Sequence, residues 1–247
     1  ATKFRSLDDA GIALLTSLKR GKTLVTLAPE LAPPGAIRHL VARGVIVAAG
    51  HTRADYETMQ RAIEEGLSGV THLFNAMTQL DSRAPGVVGA AMEGVLFAGI
   101  IADGHHVHPA ALRAAFRSCG PERLMLVTDA MPSVGAQTKG FMVGAQEITE
   151  KDGSLRSADG TLAGSALDMA SALRNAAAMM RVSLETASQM ASQTPAAFLG
   201  LSERYGRLCP GARADMVHVD DALAVQGVWI AGRRIEINAR KAAFPPE

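Results

Sequence analysis

The sequence has little cysteine, no excess of charge of either sign and no long apolar run. Its 247 residues include two cysteines, Cys119 and Cys209, which lie far apart and form no Cys-X-X-Cys pattern. This excludes a disulfide-stabilised scaffold and a zinc site built from thiolates. Because sparse, unpaired cysteine is typical of reducing compartments, we expect a cytoplasmic protein.

The charges nearly cancel, with 25 Lys and Arg against 24 Asp and Glu. This balance does not favour binding to nucleic acid or to a membrane surface, although it is compatible with a small local anion site. No apolar run approaches the ~20 residues that a spanning helix needs, and the first residues lack the basic flank and apolar core of a signal peptide. We therefore expect neither nucleic acid nor a membrane as a partner.

Short runs rich in Val, Ile and Leu alternate with helix-like segments between residues 24 and 129. The predicted strands are Leu24–Leu27, Val45–Ala49, Val70–Leu73, Phe97–Ile101 and Leu124–Thr128. Apolar residues at three- and four-residue spacing predict helices in Pro34–Arg43, Arg53–Glu65 and Pro109–Ser118. This alternation predicts a parallel sheet, which is either doubly wound or closed as a (β/α)8 barrel.

Polar side chains follow four successive predicted strands, as His51, His72, Asp103 and Asp129. A barrel collects the carboxyl ends of all its strands at one mouth, whereas a doubly wound sheet converges only those near its switch point. The repeated His or Asp at these ends therefore favours a barrel.

The pattern changes after Gly140. Short alternating runs in 141–149 and 206–234 predict a small antiparallel β unit. Helical spacing in Leu167–Met180 and Leu184–Leu199 predicts two intervening helices, whose many methionines are explained by core packing.

His51 and His72 could hold a divalent metal ion, because imidazoles on neighbouring strand ends can both reach an ion at about 2.0–2.1 Å. Either residue taken singly is more often a hydrogen-bonded structural histidine. Asp129 could act as the general base beside a metal-activated water, or could instead be an N-cap or turn residue.

The segment Asp103–Pro109 contains three of the seven histidines. It could form a second metal site or a contact to substrate, and spacing does not decide between them. Arg83 lies on a Gly- and Pro-containing loop beyond His72, where a guanidinium suits a phosphate or carboxylate, although most loop arginines are simply solvated.

Six strings in order along the chain resemble the N-acetylglucosamine-6-phosphate deacetylase family of the amidohydrolase superfamily. They are Val25–Glu30 (VTLAPE), Ala49–Thr52 (AGHT), Thr71–Met77 (THLFNAM), Ile101–Val107 (IADGHHV), Leu126–Ala130 (LVTDA) and Thr161–Ser165 (TLAGS). Together they are far more specific than a two-histidine spacing.

The resemblance implies roles for individual residues. His51 and His72 match two metal ligands, and Asp129 matches the catalytic acid and base. The residues that match substrate contacts are Asn75, Ala76, Arg83, Asp103, His106, Leu162, Ala163 and Gly164. Among these, Arg83 and His106 match contacts to the phosphate and sugar, and Leu162–Gly164 matches a loop that closes over the substrate.

The resemblance also implies a fold and a reaction. We expect a (β/α)8 barrel catalytic domain over residues 1–205 and the C-terminal strands of a small β-sandwich over residues 206–247. The expected reaction is removal of acetate from N-acetyl-D-glucosamine 6-phosphate by a homodimer with a divalent metal cofactor. Zinc is the first choice of metal, with iron, cobalt, nickel or manganese as alternatives.

The family's glutamate ligand, in a His-Leu-Glu-Gly-Pro string, has no counterpart in this sequence. Glu30 is not a replacement, because the string that contains it has its own matching place in the family. We therefore expect the sequence to lack its N-terminal part, including the first barrel strands. The two histidines alone fall short of the three protein ligands of a catalytic zinc site, so this part of the chain could be metal-free.

Two alternatives remain open. One is another amidohydrolase, above all a deacetylase for the galactosamine epimer, which these motifs do not distinguish. The other, of a different class, is a catalytically inactive sugar-phosphate-binding protein. That protein would keep Arg83 and Asn75 but lose the metal, and the presence of Asp129 weighs against it.

Overall fold

Five parallel strands form the central sheet of the protein. A computed structural model describes residues 7–138 and 140–236. The strands are β1 (Leu24–Leu27), β2 (Ile46–Ala49), β3 (Gly69–Val70), β4 (Phe97–Ile101) and β5 (Leu124–Val127). Their order in the sheet is the same as their order in the chain, and all four neighbouring pairs are parallel.

This strand order decides between the two predicted architectures. A doubly wound sheet reverses its order at a switch point, whereas the strands of a barrel follow one another around the axis. The consecutive order is therefore that of a barrel, and the predicted adjacency of the strands that precede His51, His72, Asp103 and Asp129 is confirmed. Within the described residues the parallel sheet stays open rather than closing on itself.

Helices connect the parallel strands. The connecting helices are α2 (Ala36–Val41), α3 (Tyr56–Glu64), α4 (Gly86–Met92) and α5 (Pro109–Cys119), and a further helix, α1 (Asp9–Leu15), precedes the sheet. A short 3-10 helix, Pro29–Leu31, follows β1. The core lies between helices and sheet, where Leu40, Met59 and Leu112 join the strand residues Val47 and Ile100 in one buried cluster.

Three further helices follow, α6 (Met169–Met180), α7 (Leu184–Ala191) and α8 (Gln193–Phe198). The single predicted helix Leu184–Leu199 is wrong, because the chain breaks at Ser192 (φ −136°, ψ −62°). Pro195 explains the break, since proline has no N–H for a continuous helix and its ring would clash with a carbonyl of the preceding turn.

The predicted strand Val70–Leu73 is also shorter than expected, because β3 ends at Val70. His72 has a positive φ of 26°, which no regular strand accommodates. The chain therefore leaves the sheet one residue before His72 and turns its imidazole toward the end of β2.

The antiparallel part of the chain forms two sheets, where one small unit was predicted. The first contains β6 (Gly140–Val143), β7 (Gln146–Lys151), β8 (Ser154–Ser157) and β9 (Leu162–Ser165). The second contains β10 (Met216–Val219), β11 (Val225–Ile230) and β12 (Arg233–Ile235). The predicted C-terminal strands thus correspond to the second sheet, and the part of that region beyond residue 236 lies outside the described residues.

The four-stranded sheet is joined to the parallel sheet at the end of β5. Ser165, the last residue of β9, forms a parallel bridge with Ala130, and its N–H donates to the carbonyl of Asp129 at 2.8 Å. The Ser165 hydroxyl also donates to the carbonyl of Thr128. These bonds place β9 directly beside Asp129.

Candidate active site

Two imidazoles meet at the carboxyl ends of β2 and β3. The Nε2 atoms of His51 and His72 are 3.0 Å apart, and the two rings stand nearly perpendicular. Both residues have positive φ, 49° for His51 and 26° for His72. Such conformations in non-glycine residues persist only where surrounding contacts hold them, and they concentrate at functional sites.

The environment of His72 keeps its imidazole neutral. Burial lowers the pKa of His72 below its usual value, the nearby His51 lowers it further, and the negative charge of Asp129 acts in the opposite direction. The net lowering of this pKa favours the unprotonated ring, which is the form that binds a metal ion. Asp129 is thus close enough to His72 to affect its charge.

The histidine pair fits part of a divalent metal site. Two nitrogens at about 2.0–2.1 Å from one tetrahedral ion lie roughly 3.3 Å apart, close to the observed separation of the two Nε2 atoms. The distance also suits a hydrogen bond in which one ring donates and the other accepts. Within 7–138 and 140–236, no group of three His, Cys, Asp or Glu side chains could hold a metal ion.

Asp129 follows β5 with a positive φ of 51° and an exposed side chain. Its backbone is held by the bond from Ser165, so the carboxylate projects from a constrained turn. Gly164 packs against this turn with a φ of 68°, and a Cβ there would lie 2.4 Å from Met131 Cγ and 3.1 Å from the Asp129 carbonyl. This close approach explains the need for glycine at position 164.

The segment Leu162–Gly164 is not the loop that the resemblance implied. Its residues belong to β9, which pairs with β8 and is tied at Ser165 to the end of β5. Ladder hydrogen bonds on one side and the bridge to Ala130 on the other hold it in place. Leu162, Ala163 and Gly164 therefore lie on a strand beside Asp129.

Asn75 and Ala76 form the turn that follows His72. The side-chain amide of Asn75 donates to the carbonyls of His72 and Leu73 at 3.3 and 3.2 Å. Ala76 has a φ of 49°, and its carbonyl accepts the N–H of Thr52 at 3.0 Å. The loop after β3 is thereby joined to the loop after β2, and an open cleft of about 610 Å³ lies along both.

Asp103 and His106 form a buried pair in the loop after β4. Asp103 Oδ2 lies 2.6 Å from His106 Nδ1, and Asp103 Oδ1 accepts the N–H groups of His105 and His106, each at 2.9 Å. Burial acts to raise the pKa of Asp103, but the hydrogen bonds from the side chain and backbone of His106 outweigh it and lower that pKa. An ionised Asp103 orients the His106 ring through Nδ1 and leaves Nε2 available.

The remaining polar residues of this region differ in their surroundings. His108 accepts the N–H of Ala110 at 3.1 Å and caps α5, which gives it a structural role. Arg83 is exposed, its N–H donates to Asp81 at 3.2 Å, and its guanidinium has no hydrogen bond or ion pair within the described chain. Neither Arg83 nor His106 lines the cleft beside His51.

Sequence reasoning missed Thr52 and considered Glu30 only to exclude it as the glutamate metal ligand. Glu30 follows β1 and accepts hydrogen bonds from the Thr52 hydroxyl and from the N–H of Arg53. Glu30 follows a predicted strand, as the selected residues at the other strand ends do, but its contacts with the His51 loop were not predicted.

Comparisons with known proteins agree with this geometry. The Amidohydrolase family model matches residues 13–235. The chain is 47% identical over 225 residues to an N-acetylgalactosamine-6-phosphate deacetylase of Shewanella sp. (strain ANA-3), covering 91% of this chain and 57% of that protein. It is 40% identical over 213 residues to the N-acetylglucosamine-6-phosphate deacetylase of Vibrio furnissii, covering 85% of this chain and 53% of that protein.

A solved structure matches as well. The N-acetylglucosamine-6-phosphate deacetylase of Pasteurella multocida superposes with a TM-score of 0.89 at 32% identity, over 94% of this chain and 61% of that one. The chain thus spans about half the length of the relatives it matches. The structural match and the consecutive parallel strands confirm the barrel class that the sequence predicted, and the chain belongs to the amidohydrolase family.

Proposed function

We propose that the intact protein is a metal-dependent deacetylase of N-acetyl-hexosamine 6-phosphates. The observation that carries this proposal is the meeting of His51 and His72 at neighbouring strand ends, with Nε2 atoms 3.0 Å apart and Asp129 close by. Two imidazole nitrogens beside a carboxylate are components that metal-assisted amide hydrolysis requires. The relatives that share this part of the chain carry names of that activity.

His51 and His72 would hold the metal ion, and the third protein ligand would come from a part of the protein outside this sequence. The chemistry that a divalent ion supplies when bound is activation of a water and polarisation of the acetyl carbonyl. Zinc suits two imidazoles, and iron, cobalt, nickel or manganese remain alternatives because occupancy also depends on metal supply.

Asp129 is the proton carrier in this proposal. Its carboxylate takes a proton from the attacking water and delivers it to the amide nitrogen as the C–N bond breaks, releasing acetate and the free amino sugar. The Ser165 bond to its backbone restrains the turn that bears this carboxylate, which favours repeated transfer between fixed positions.

Binding of the phosphate and sugar falls to residues around this centre. Arg83 offers an exposed guanidinium that is available to a phosphate. His106, oriented by Asp103, offers Nε2 to a sugar or phosphate oxygen. Asn75, Ala76 and the β9 residues Leu162, Ala163 and Gly164 contribute the remaining contacts, because the loop after β3 and β9 flank the catalytic groups.

The substrate epimer is the point on which the relatives differ. N-acetyl-D-glucosamine 6-phosphate is the first candidate, as the sequence motifs imply. N-acetyl-D-galactosamine 6-phosphate is the second, favoured by the 47% identity to the Shewanella relative. The two sugars differ in the orientation of one hydroxyl, so a direct comparison of kcat/KM separates them.

Assembly, location and domain division complete the proposal. We propose a homodimer in the cytoplasm with a catalytic barrel over 1–205 and a small β subdomain from 206 onward. No helix in the described residues has the length and apolar character to cross a membrane. The exposed guanidinium of Arg83 and the oriented ring of His106 suit a phosphosugar as the small-molecule partner.

The test is to purify the intact protein, measure its metal content and assay acetate release from both epimers. Wild-type protein is expected to release acetate, and His51→Ala and His72→Ala are expected to lose both metal and activity. Phosphosugar binding without stoichiometric metal or acetate release would instead identify an inactive binding protein. Unchanged metal content in both histidine variants would refute the assigned ligands.

A further inference from the structure

Glu30 connects the end of β1 to the residues that directly follow His51. One carboxylate oxygen accepts the hydroxyl hydrogen of Thr52, and the other accepts the N–H of Arg53 at 2.7 Å. Hydrogen bonds to an ionised acceptor are stronger than those between neutral groups. Both oxygens of Glu30 are thus committed to the loop that carries His51.

Thr52 extends this connection to the loop that carries His72. It is 2% exposed, and its N–H donates to the carbonyl of Ala76 at 3.0 Å. Its hydroxyl donates to Glu30 and also accepts the N–H of Ala54 at 3.0 Å. Thr52 therefore joins the His51 loop to Glu30, after β1, and to Ala76, in the loop after β3.

The backbone at His51 requires such support. A histidine with a φ of 49° has left the ordinary strand conformation, and relaxation of the following two residues would rotate its imidazole. Glu30 and Ala76 restrain those residues from opposite sides, through Arg53 and Thr52. Since His72 lies four residues before Ala76, the same network relates one imidazole to the other.

We propose that Glu30 is a positioning residue that, through Thr52 and Arg53, sets the placement of His51 relative to His72 for metal binding. The proposal rests on the proposed function, because it assigns Glu30 to the support of that metal site. Both carboxylate oxygens of Glu30 accept hydrogen bonds from the His51 loop, so we assign Glu30 to the support of that loop and not to the metal ion. Residues that orient metal ligands typically contribute 10–100-fold to metal affinity.

Glu65 provides a matched control within the same fold. Its carboxylate also accepts two backbone N–H groups of a distant segment, those of Gly35 at 3.1 Å and Arg38 at 3.4 Å. These bonds hold the start of α2, and neither donor belongs to a loop that carries His51 or His72. A general loss of stability would therefore follow from either carboxylate, whereas a loss of metal affinity would follow from Glu30 alone.

The experiment measures zinc affinity of the intact protein by competition with a chelator, together with the thermal midpoint of the metal-free protein. Glu30→Gln is expected to lower zinc affinity by about 10–100-fold. Glu65→Gln is expected to retain wild-type affinity, even if its thermal midpoint falls as much. A carboxylate with a merely structural role would lower the thermal midpoint without this selective loss of zinc affinity.

A second pair of variants tests the hydroxyl of Thr52. Thr52→Val keeps the volume but removes the hydrogen bond to Glu30, and Thr52→Ser keeps the hydroxyl but removes a methyl group. If the hydrogen bond matters, Thr52→Val loses more zinc affinity than Thr52→Ser. The reverse order would show that packing dominates at this position and would overturn the proposal.

The outcomes also separate this proposal from the proposed function. If His51→Ala and His72→Ala lose zinc while Glu30→Gln and Thr52→Val bind it as wild type does, the metal site stands and the positioning role is wrong. If both histidine variants retain zinc, the metal site itself is wrong, and the positioning role is overturned with it.

Discussion

Gly50 precedes His51 at a point where the ends of three strands are in close contact. A Cβ at this position would lie 2.2 Å from the Thr71 Cγ2 methyl and 2.8 Å from the Thr26 Cγ2 methyl. The first distance is more than an ångström short of the 3.4 Å at which ordinary contact begins. The backbone of Gly50 is outside the left-handed region, so an alanine there is opposed by crowding alone.

The cost of Gly50→Ala follows from this crowding. Thr26 lies in β1 and Thr71 directly follows β3, and both are branched at Cβ with little freedom to move their methyl groups. The added methyl group must push the end of β2 away from Thr26 on one side and from Thr71 on the other. Overpacking of this kind lowers the free energy of unfolding by about 1–3 kcal/mol. Because His51 is the next residue, we also expect zinc affinity to fall by at least about tenfold.

The assay combines urea unfolding of the metal-free intact protein with chelator competition for zinc. Gly140→Ala is the control, because a Cβ there would meet its nearest neighbour, the Ile148 carbonyl oxygen, at 3.5 Å. The backbone of Gly140 is also outside the left-handed region. We expect this control to change the free energy of unfolding by less than about 0.5 kcal/mol. A Gly50→Ala protein with wild-type unfolding midpoint and zinc affinity would refute the reasoning.

Three further substitutions test the chemistry. Asp129→Asn keeps the side-chain shape but loses the base, so kcat for acetate release should fall by ~10²–10⁴ with zinc retained; near-normal kcat at full zinc occupancy would remove Asp129 from the mechanism. Arg83→Ala should raise KM for the 6-phosphate while leaving activity on the unphosphorylated N-acetyl sugar, and equal losses on both would indicate a structural arginine. Asp103→Asn removes the carboxylate that accepts the His106 ring hydrogen, which should lower the free energy of unfolding at pH 7 by about 1–3 kcal/mol. The pKa of Asp103 in the folded protein is below its usual 3.8, so the ionised carboxylate stabilises the fold above pH 3.8, and this stabilisation is lost as the pH falls through the folded pKa. The free energy of unfolding, measured with urea, should therefore fall less on acidification in Asp103→Asn than in the wild type. An identical fall in both proteins would contradict the assigned pKa direction.

Much of the parallel sheet was predictable from local patterns. The predicted bounds of β1 and β4 are those observed. A short, continuous apolar run is easily told apart from the three- and four-residue apolar spacing of the neighbouring helices. The convergence of His51 and His72 was also predictable, since parallel neighbours place their carboxyl ends at one edge. The spacing of apolar residues and the succession of strands along the chain were enough to predict the strand positions and the meeting of the two histidines.

The fine structure of the site was not predictable in the same way. Glu30 reaches Thr52 and Arg53, and Ser165 reaches Asp129, across stretches of chain that no local pattern spans. Such contacts depend on strand register and on the exact turn at each strand end. Neither the periodicity of apolar residues nor turn propensity specifies these.

The sequence by itself determined which residue types stand at the strand ends and that these ends lie together. Tertiary structure alone decided that β9 is a strand held beside Asp129 and that Glu30 supports the His51 loop. The physical reason is that periodic burial depends on neighbours along the chain, whereas a hydrogen bond between distant loops depends on the packed positions of both.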